Sequence, residues 1–199
     1  YVQNSRGKYE MQILNTLKQS MLDIRKFSWD MSLFLSQEFN LLKINEKYST
    51  GSSIMPNKHN PDVIELLRAN YSILAGLTAE LENLLSLPSG YHRDLQLTKR
   101  SLISGFNISL KSLKIIPNLL KTIKINKTNS IKYIDDDMKM TDKVYSLVAE
   151  GVAFRDAYSL IKNSDDLSSF SETNTNNHSS GSPGNLNLST LEKRLKKQK

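Results

Sequence analysis

The fold is decided at residues 51–61, which read Gly51-Ser52-Ser53-Ile54-Met55-Pro56-Asn57-Lys58-His59-Asn60-Pro61. A turn glycine, two hydroxyls and two prolines exclude a continuous helix here and predict a loop. Asn60 is a suitable N-cap, Pro61 suits the first helical position, and Asp62 is a favourable charge in the first turn. We therefore predict a helix that begins at Pro61, with an N-terminus that, beside Lys58, is suited to bind an anion.

The segment before this loop is predicted to be one long helix. Apolar residues recur in it at alternating spacings of three and four, interrupted once by a polar serine, which is typical of a helix that packs in a bundle. A helix from about Tyr9 to about Phe39 would be roughly 45 Å long. The residues of this repeat are Leu14, Leu17, Met21, Ile24, Ser28, Met31 and Leu35.

Two more long helices are predicted after the loop. The second runs to about Leu87, and Gly76 within it is expected to allow close helix packing; its apolar positions are Ile64, Leu67, Tyr71, Leu74, Leu77, Leu81 and Leu84. Asp94 is expected to cap the third, which Pro117 should interrupt and kink; its apolar positions are Leu95, Leu102, Phe106, Leu110, Leu113, Ile116, Leu120 and Ile123. Short connections imply antiparallel neighbours, so the predicted fold class is an all-α bundle of long helices.

The chain is predicted to contain two domains, the bundle at residues 1–125 and a small helical C-terminal domain at residues 126–199. In the second domain, residues 141–150 and 154–162 are typical of short helices, and a short amphipathic helix is expected at residues 188–195. Between them, residues 164–190 are rich in Ser, Asn and Thr, which predicts a loop or a disordered segment.

Composition narrows the possible functions. The 199 residues include no cysteine and three scattered histidines, so we expect neither a disulfide nor a metal site. The net charge of +7 admits nucleic acid, an anionic membrane surface or a small anionic substrate. Basic and aromatic residues do not interleave as in a base-stacking surface, and no apolar run is long enough for a membrane, so neither nucleic acid nor a membrane is an expected partner. We expect a soluble, cytoplasmic protein, and because the first residue is Tyr1, a C-terminal piece of a longer polypeptide.

The sequence of this loop also resembles a motif of a known protein superfamily. The pattern G-S-S-x-M-P-x-K-x-N-P at residues 51–61 resembles the signature loop of the fumarase/aspartase superfamily of lyases. Residues 62–68, Asp-Val-Ile-Glu-Leu-Leu-Arg, and 91–99, Tyr-His-Arg-Asp-Leu-Gln-Leu-Thr-Lys, resemble the argininosuccinate lyase family specifically. Residues 152–158 resemble a segment of that family's small C-terminal domain, with Ala153 in place of the usual proline and Tyr158 in place of the usual histidine.

The resemblance implies β-elimination of argininosuccinate to arginine and fumarate, without metal or organic cofactor. It implies that Ser52 is the general base, with Lys58 and the following helix start favouring negative charge, and that Gly51 lets the loop hinge over the substrate. Glu65 would orient a catalytic histidine that lies outside this sequence, and the apolar neighbours of Glu65 predict that its carboxylate is partly buried.

The same resemblance implies that Asn60, Tyr91, Gln96 and Lys99 contact the substrate. Gln96 and Lys99 are three residues apart, which predicts that they lie on one helix face. We expect Ser53 and His59 to be structural. It implies a homotetramer whose active sites each draw on three subunits. We expect the isolated chain to be inactive, because the histidine and part of the substrate shell are absent. Two alternatives stay open here: another lyase of the superfamily, acting on adenylosuccinate, aspartate or fumarate, and a non-catalytic, crystallin-like helical scaffold.

Overall fold

The computed structural model describes residues 1–51, 54–55, 59–164, 179–182 and 184–197. The chain divides into two compact units, residues 1–131 and 132–199. The predicted domain boundary at 125/126 therefore falls inside the first unit. The described residues are mainly helical and their strands are two-residue segments, which confirms the predicted all-α fold class.

The helices of the described residues are α1 (Lys8–Phe34), α2 (Asp62–Leu84), α3 (Thr98–Leu120), α4 (Lys127–Ser130), α5 (Met140–Ala149), α6 (Phe154–Lys162) and α7 (Leu188–Lys197). The short strands are β1 (Leu42–Lys43), β2 (Thr50–Gly51), β3 (His59–Asn60) and β4 (Lys124–Ile125). Both strand pairs are antiparallel: β1 pairs with β4, and β2 pairs with β3. Turns of 3-10 helix lie at Gln3–Ser5, Glu46–Tyr48, Arg93–Leu97, Ile131–Tyr133 and Asp137–Lys139.

Two arginine–aromatic pairs fix α1 against α2. The guanidinium carbon of Arg25 lies 4.9 Å from the ring centroid of Tyr71, and that of Arg68 lies 4.3 Å from the ring centroid of Trp29. Arg68 also donates a hydrogen bond to the Ser32 hydroxyl at 3.1 Å. Because each helix supplies one arginine and one ring, at positions that run in opposite order along the chain, the two helices are antiparallel, as predicted.

Helix α3 runs antiparallel to α2. Asn70 of α2 donates a hydrogen bond to Ser112 of α3 at 3.0 Å, while Glu80 and Arg100 form an exposed ion pair at 3.7 Å near the other ends of the same helices. That ion pair is the one salt bridge within the described residues. The three long helices thus pack on one another, and hydrophobic burial rather than charge pairing supplies most of their association.

The predicted apolar repeats of α1 and α2 form the core of the first unit. Ser28, the polar interruption in α1, is fully buried and satisfies its hydroxyl by donating to the Ile24 carbonyl at 2.7 Å. The buried members of the two repeats are Leu14, Met21, Ile24, Met31, Ile64, Leu67, Leu74 and Leu81, with Leu17, Leu35 and Tyr71 partly buried beside them.

The predicted apolar face of α3 is correct at Leu95, which is buried, and at Leu102, Ile116 and Ile123, which pack against the core, but it is wrong at the other four positions. Phe106, Leu110, Leu113 and Leu120 are between 41% and 48% exposed. The face that α3 turns toward α1 and α2 is instead lined by small side chains, Thr98, Ser101, Gly105, Ser109 and Ser112, followed by Leu119. Small residues allow close approach of the helices, so the large side chains of α1 and α2 fill the space that α3 leaves.

Gly105 is the point of closest approach. A Cβ added there would lie 2.6 Å from Leu14 Cδ2 and 2.9 Å from Leu74 Cδ1, and both leucines are fully buried. Gly76, which we expected to allow close packing, is exposed, and a Cβ added to it would meet nothing within 4 Å. The close contact therefore depends on α3 and not on the glycine of α2.

Several predicted helix ends are also corrected. Helix α1 ends at Phe34, and the chain then turns at Asn40, which has a φ of 45° and donates its amide to the Ser36 carbonyl. Asp94 lies inside a 3-10 turn, so it does not cap α3, whose N-cap is Leu97. Helix α3 continues through Pro117 to Leu120.

The second unit has its own small core. Helices α5 and α6 agree with the predicted short helices to within a residue, and they bury Val144, Ala157 and Ile161 against each other. Gly151, at a φ of 100°, makes the turn between them. Helix α7 begins at the predicted Leu188, whereas residues 165–178 of the predicted Ser/Asn-rich loop lie outside the described residues. Over the residues described, none of the helices has the length and apolar character needed to cross a membrane.

The glycine contacts predict opposite effects for two alanine substitutions. Gly105→Ala should destabilise the chain by about 1 kcal/mol net, because overpacking between Leu14 and Leu74 outweighs the gain in helix propensity. Gly76→Ala should stabilise it by up to about 1 kcal/mol, because alanine is the better helix former and meets open space. Urea unfolding followed by the fluorescence of Trp29, the single tryptophan, measures both. Equal stabilisation by the two substitutions would contradict this packing.

Candidate active site

Strands β2 and β3 close the signature loop at its base. Thr50 is paired with Asn60, and Gly51 with His59, so the two strands form a short antiparallel hairpin. Ser52 follows Gly51 in the sequence and Lys58 precedes His59, so the two predicted catalytic residues adjoin paired positions. Ser52 and Lys58 themselves lie outside the described residues, as do Ser53, Pro56 and Asn57.

The hairpin leads directly into α2. Pro61 is the N-cap of α2, and its carbonyl accepts the amides of Ile64 and Glu65. The predicted helix start is correct to within one residue, but the predicted cap is wrong, because Asn60 belongs to β3 and makes a ladder pair with Thr50. The base of the loop thus stands at the N-terminal end of α2, where the helix dipole favours negative charge.

A cleft of about 430 Å³ lies beside the hairpin. Its lining includes His59 and Pro61 from the hairpin side and Lys43, Glu46 and Ser49 from the connector that follows α1. The volume is within the range of small-molecule sites. The mixed charge of the lining suits a zwitterionic or polar ligand.

Glu65 does not have the environment that its neighbours suggested. We predicted a partly buried carboxylate, but Glu65 is exposed, and so is the adjacent Leu66 at 59%. The buried face of α2 passes through Ile64 and Leu67, and Glu65 projects from a different face. Any group that Glu65 orients must therefore come from outside the packed face of the first unit.

Tyr91, Gln96 and Lys99 lie at the opposite end of α2. Tyr91 is in the connection after α2, Gln96 is in the 3-10 turn Arg93–Leu97, and Lys99 is in the first turn of α3. The 3-10 turn continues directly into α3, with Leu97 and Thr98 both in the right-handed helical region, so Gln96 and Lys99 lie on consecutive helical turns. The Gln96 side-chain amide donates to the Tyr91 hydroxyl at 3.1 Å. Since the phenol oxygen accepts this bond, its own O–H proton is available for a ligand.

Arg6 joins this group, and sequence reasoning missed it. Its guanidinium carbon lies 4.8 Å from the ring centroid of Tyr91. Hydrogen bonding from Arg6 and its positive charge lower the pKa of Tyr91 from the ordinary 10.0; Gln96 and the charge of Arg93 act in the same direction, and desolvation opposes them. The available signal was Gly7, a turn residue directly after a basic one.

A second cleft, of about 340 Å³, lies beside this group. Arg6, Lys8 and His92 are in its lining, which holds no acidic residue among the described parts of the chain. Gly7, between the first two, is buried with a φ of 83°, and a Cβ there would collide with the side chain of Leu85. The cleft therefore has the charge of an anion site, and its shape depends on a glycine.

The site residues form two groups that one chain cannot bring together. Glu65 is in the first turn of α2, and Tyr91 follows the end of α2 at Leu84. At about 1.5 Å of rise per residue, the two groups are separated by roughly 30 Å. The structure brings Tyr91 and Gln96 into contact, with Lys99 nearby in the chain, but it leaves the hairpin and Glu65 at the far end.

No metal cluster is present within the described ranges, where no group of three or more His, Cys, Asp or Glu side chains could hold a metal ion. The polar side chains around Tyr91, which include the Gln96 amide and the Arg6 guanidinium, are suited to hydrogen-bond to an anion.

Comparisons with known proteins decide the family. The family described as "Lyase" matches residues 5–75, which include Arg6, the hairpin loop and Glu65. An argininosuccinate lyase of Xylella fastidiosa is 43% identical over 96% of this chain, and one of Xanthomonas euvesicatoria is 48% identical over 79% of it. The chain belongs to the argininosuccinate lyase family. It spans less than half the length of these two relatives, 44% and 37% respectively.

A solved structure supports the fold of this member of the argininosuccinate lyase family. The 3-carboxy-cis,cis-muconate lactonizing enzyme of Pseudomonas putida superposes with a TM-score of 0.63 over 80% of this chain and 36% of its own. The sequence identity is 16%, so this likeness bears on the all-α fold alone.

Two glycines of the site should differ in their tolerance of a side chain. Gly7→Ala should lower stability by roughly 1–2 kcal/mol or more, because alanine disfavours a positive φ and its Cβ would meet Leu85. Gly51→Ala should change stability by less than about 0.5 kcal/mol, because a Cβ there meets nothing within 4 Å. Urea midpoints of the two variants test this. A neutral Gly7→Ala would contradict the described turn at the start of α1.

Proposed function

We propose that this chain is part of an argininosuccinate lyase, which eliminates arginine from argininosuccinate to leave fumarate. The observation that carries the proposal is the 43% identity to the Xylella fastidiosa argininosuccinate lyase over 96% of the chain. The two groups of candidate residues, at the hairpin and around Tyr91, supply side chains suited to a carboxylate-bearing substrate.

In the proposed reaction Ser52 removes a proton from the succinate Cβ. A serine hydroxyl is a poor base in water, so it requires surroundings that favour the alkoxide. Lys58 and the N-terminus of α2, which begins immediately after the hairpin, are suited to this and to stabilising the carbanion that forms. The C–N bond then breaks, the leaving nitrogen takes up a proton, and fumarate and arginine separate.

The remaining residues bind and orient. Asn60, half-buried at the base of the hairpin, is proposed as a substrate contact, and Tyr91, Gln96 and Lys99 are proposed to hold another part of the substrate. Glu65 is proposed to orient a histidine supplied by another chain, which agrees with its exposure. No metal or organic cofactor is part of the proposed mechanism.

The proposed active site is shared between copies. Because the hairpin and the Tyr91 group are separated by roughly 30 Å in one chain, they can act on one small substrate only if different copies supply them. An exposed apolar repeat on α3 supports such association; it comprises Ile103, Phe106, Leu110, Leu113 and Leu120, which are 41–59% exposed. We propose a homotetramer in the cytoplasm.

The lyase proposal predicts which proteins turn over argininosuccinate. The chain alone should show none, because it matches less than half of its relatives and lacks the partner histidine. A fusion that supplies the preceding part of the Xylella fastidiosa relative should release fumarate, measured by ultraviolet absorbance. Ser52→Ala in this fusion should lower kcat far more than it raises KM, because the base acts in the transition state.

Controls separate the outcomes of this experiment. Ser53→Ala in the same fusion, proposed as structural, should retain most of kcat. If the chain alone turned over argininosuccinate above the buffer background, the claim that its active site is incomplete would be contradicted. A Ser52→Ala fusion with near-normal kcat would remove Ser52 from the role of base.

Self-association through the outer face of α3 is a separate prediction. At tens of micromolar the chain should be larger than a monomer by size exclusion coupled to light scattering, because the α3 repeat leaves a continuous apolar surface. Phe106→Glu with Leu113→Glu should shift it toward monomer. Ile134→Glu, a matched control at a 58% exposed residue of the second unit, should not. A monodisperse wild-type monomer with full helical circular dichroism would count against a shared site.

A further inference from the structure

Arg6 is the one side chain of the Tyr91 group to which neither sequence nor family resemblance gave a role. It is half-buried, and in the sequence it lies between the 3-10 turn Gln3–Ser5 and α1. One face of its guanidinium is stacked against the Tyr91 ring, and the residue also lines the cleft that holds Lys8 and His92. It forms no ion pair with a carboxylate in the described part of the chain, where Arg100–Glu80 is the single salt bridge.

The backbone turn at Gly7 places Arg6 beside Tyr91. Gly7, with its positive φ and its contact with Leu85, turns the chain sharply at the start of α1. Leu85 is the C-cap of α2, and Tyr91 lies shortly after it. The same glycine that starts α1 therefore seats Arg6 over the connection that carries Tyr91.

The stacking constrains the phenol. Gln96 donates to the Tyr91 hydroxyl at 3.1 Å, which directs the phenolic O–H away from Gln96. Tyr91 is 54% exposed, so few packing contacts hold its ring, and the Arg6 guanidinium at 4.8 Å limits its rotation. The charge of Arg6 also makes the phenol a better hydrogen-bond donor, because it favours the ionised form.

We propose that Arg6 is a positioning residue for substrate binding, which acts through Tyr91 by holding its phenol so that the O–H donates to a carboxylate of the substrate. This inference rests on the proposed function, because that is where Tyr91 receives its role as a substrate contact. The anion chemistry is supported independently by the second cleft, whose charged lining residues are all basic within the described ranges.

The first experiment tests the coupling of Arg6 to Tyr91 without any substrate. The full 199-residue chain is labelled with 13Cζ-tyrosine, the Tyr91 signal is assigned with Tyr91→Phe, and its titration is followed by NMR. Arg6 is the largest cause that lowers the pKa of Tyr91, so Arg6→Met should raise this pKa toward 10.0, and Arg6→Lys should restore part of the lowering. Arg93→Met is the matched control; Arg93 is the smallest cause, so its removal should shift the pKa much less.

Arg6 before α1, and Gln96 and Arg93 in the 3-10 turn, all lower the pKa of Tyr91, whereas desolvation raises it. A Tyr91 pKa that is the same in Arg6→Met and the wild type, with unchanged circular dichroism and Trp29 fluorescence, would overturn the proposal.

The second experiment tests whether Arg6 acts through Tyr91 on the substrate. In the fusion that carries the preceding part of the Xylella fastidiosa relative, Arg6→Met should raise KM for argininosuccinate roughly three- to tenfold, with a smaller effect on kcat. In a Tyr91→Phe background the same substitution should have little further effect on KM, because the phenol it positions is gone. Arg6→Lys should recover part of the loss, and Arg93→Met should leave KM near the wild-type value.

The two experiments fail in different ways. An equal rise of KM for Arg6→Met in both backgrounds would overturn the proposal, since Arg6 would then act independently of Tyr91. If the fusion turned over no argininosuccinate at all, the proposed function would fail and the substrate role of Arg6 with it. The NMR titration would still decide whether Arg6 controls the phenol.

Discussion

The close approach of α3 to α1 and α2 at Gly105 is the constraint on which the first unit depends. Leu14 and Leu74 occupy the space that a side chain would take, so the three helices pack as one layer around a leucine-rich core. This packing fixes the position of α2 relative to α1 and α3. The hairpin stands at one end and the Tyr91 group at the other, so helix packing determines the placement of both groups of candidate residues.

The sequence predicted those parts of the fold in which large apolar residues carry the periodicity. The repeats of α1 and α2 are buried where predicted, because residues such as Met21 and Leu74 gain most from leaving water. It failed on about half of the α3 positions, such as the exposed Phe106, because the buried face of α3 is made mainly of small residues. Apolar periodicity alone does not say which face of a helix its neighbours can approach most closely.

The candidate site was predictable to the extent that a local motif defines it. The loop at residues 51–61 and the segment at residues 91–99 are continuous in sequence, so a resemblance could identify them. Arg6 could not be found in that way, because its relation to Tyr91 arises only when the chain returns past Leu85. The exposure of Glu65 depends likewise on which face of α2 meets α1, and a list of apolar neighbours does not contain that information.

The reciprocal pairs Arg25–Tyr71 and Arg68–Trp29 have a geometric consequence for any assembly of this chain. Each helix supplies one arginine and one aromatic ring, so α1 and α2 cannot slide along each other without losing both contacts at once. The pairs therefore fix the overlap of the two helices. Two units that lie antiparallel with their helices overlapping would bring the Tyr91 end of one copy beside the hairpin end of the other. A two-fold axis across the helices generates that arrangement, and it necessarily creates a second, identical composite site at the opposite end.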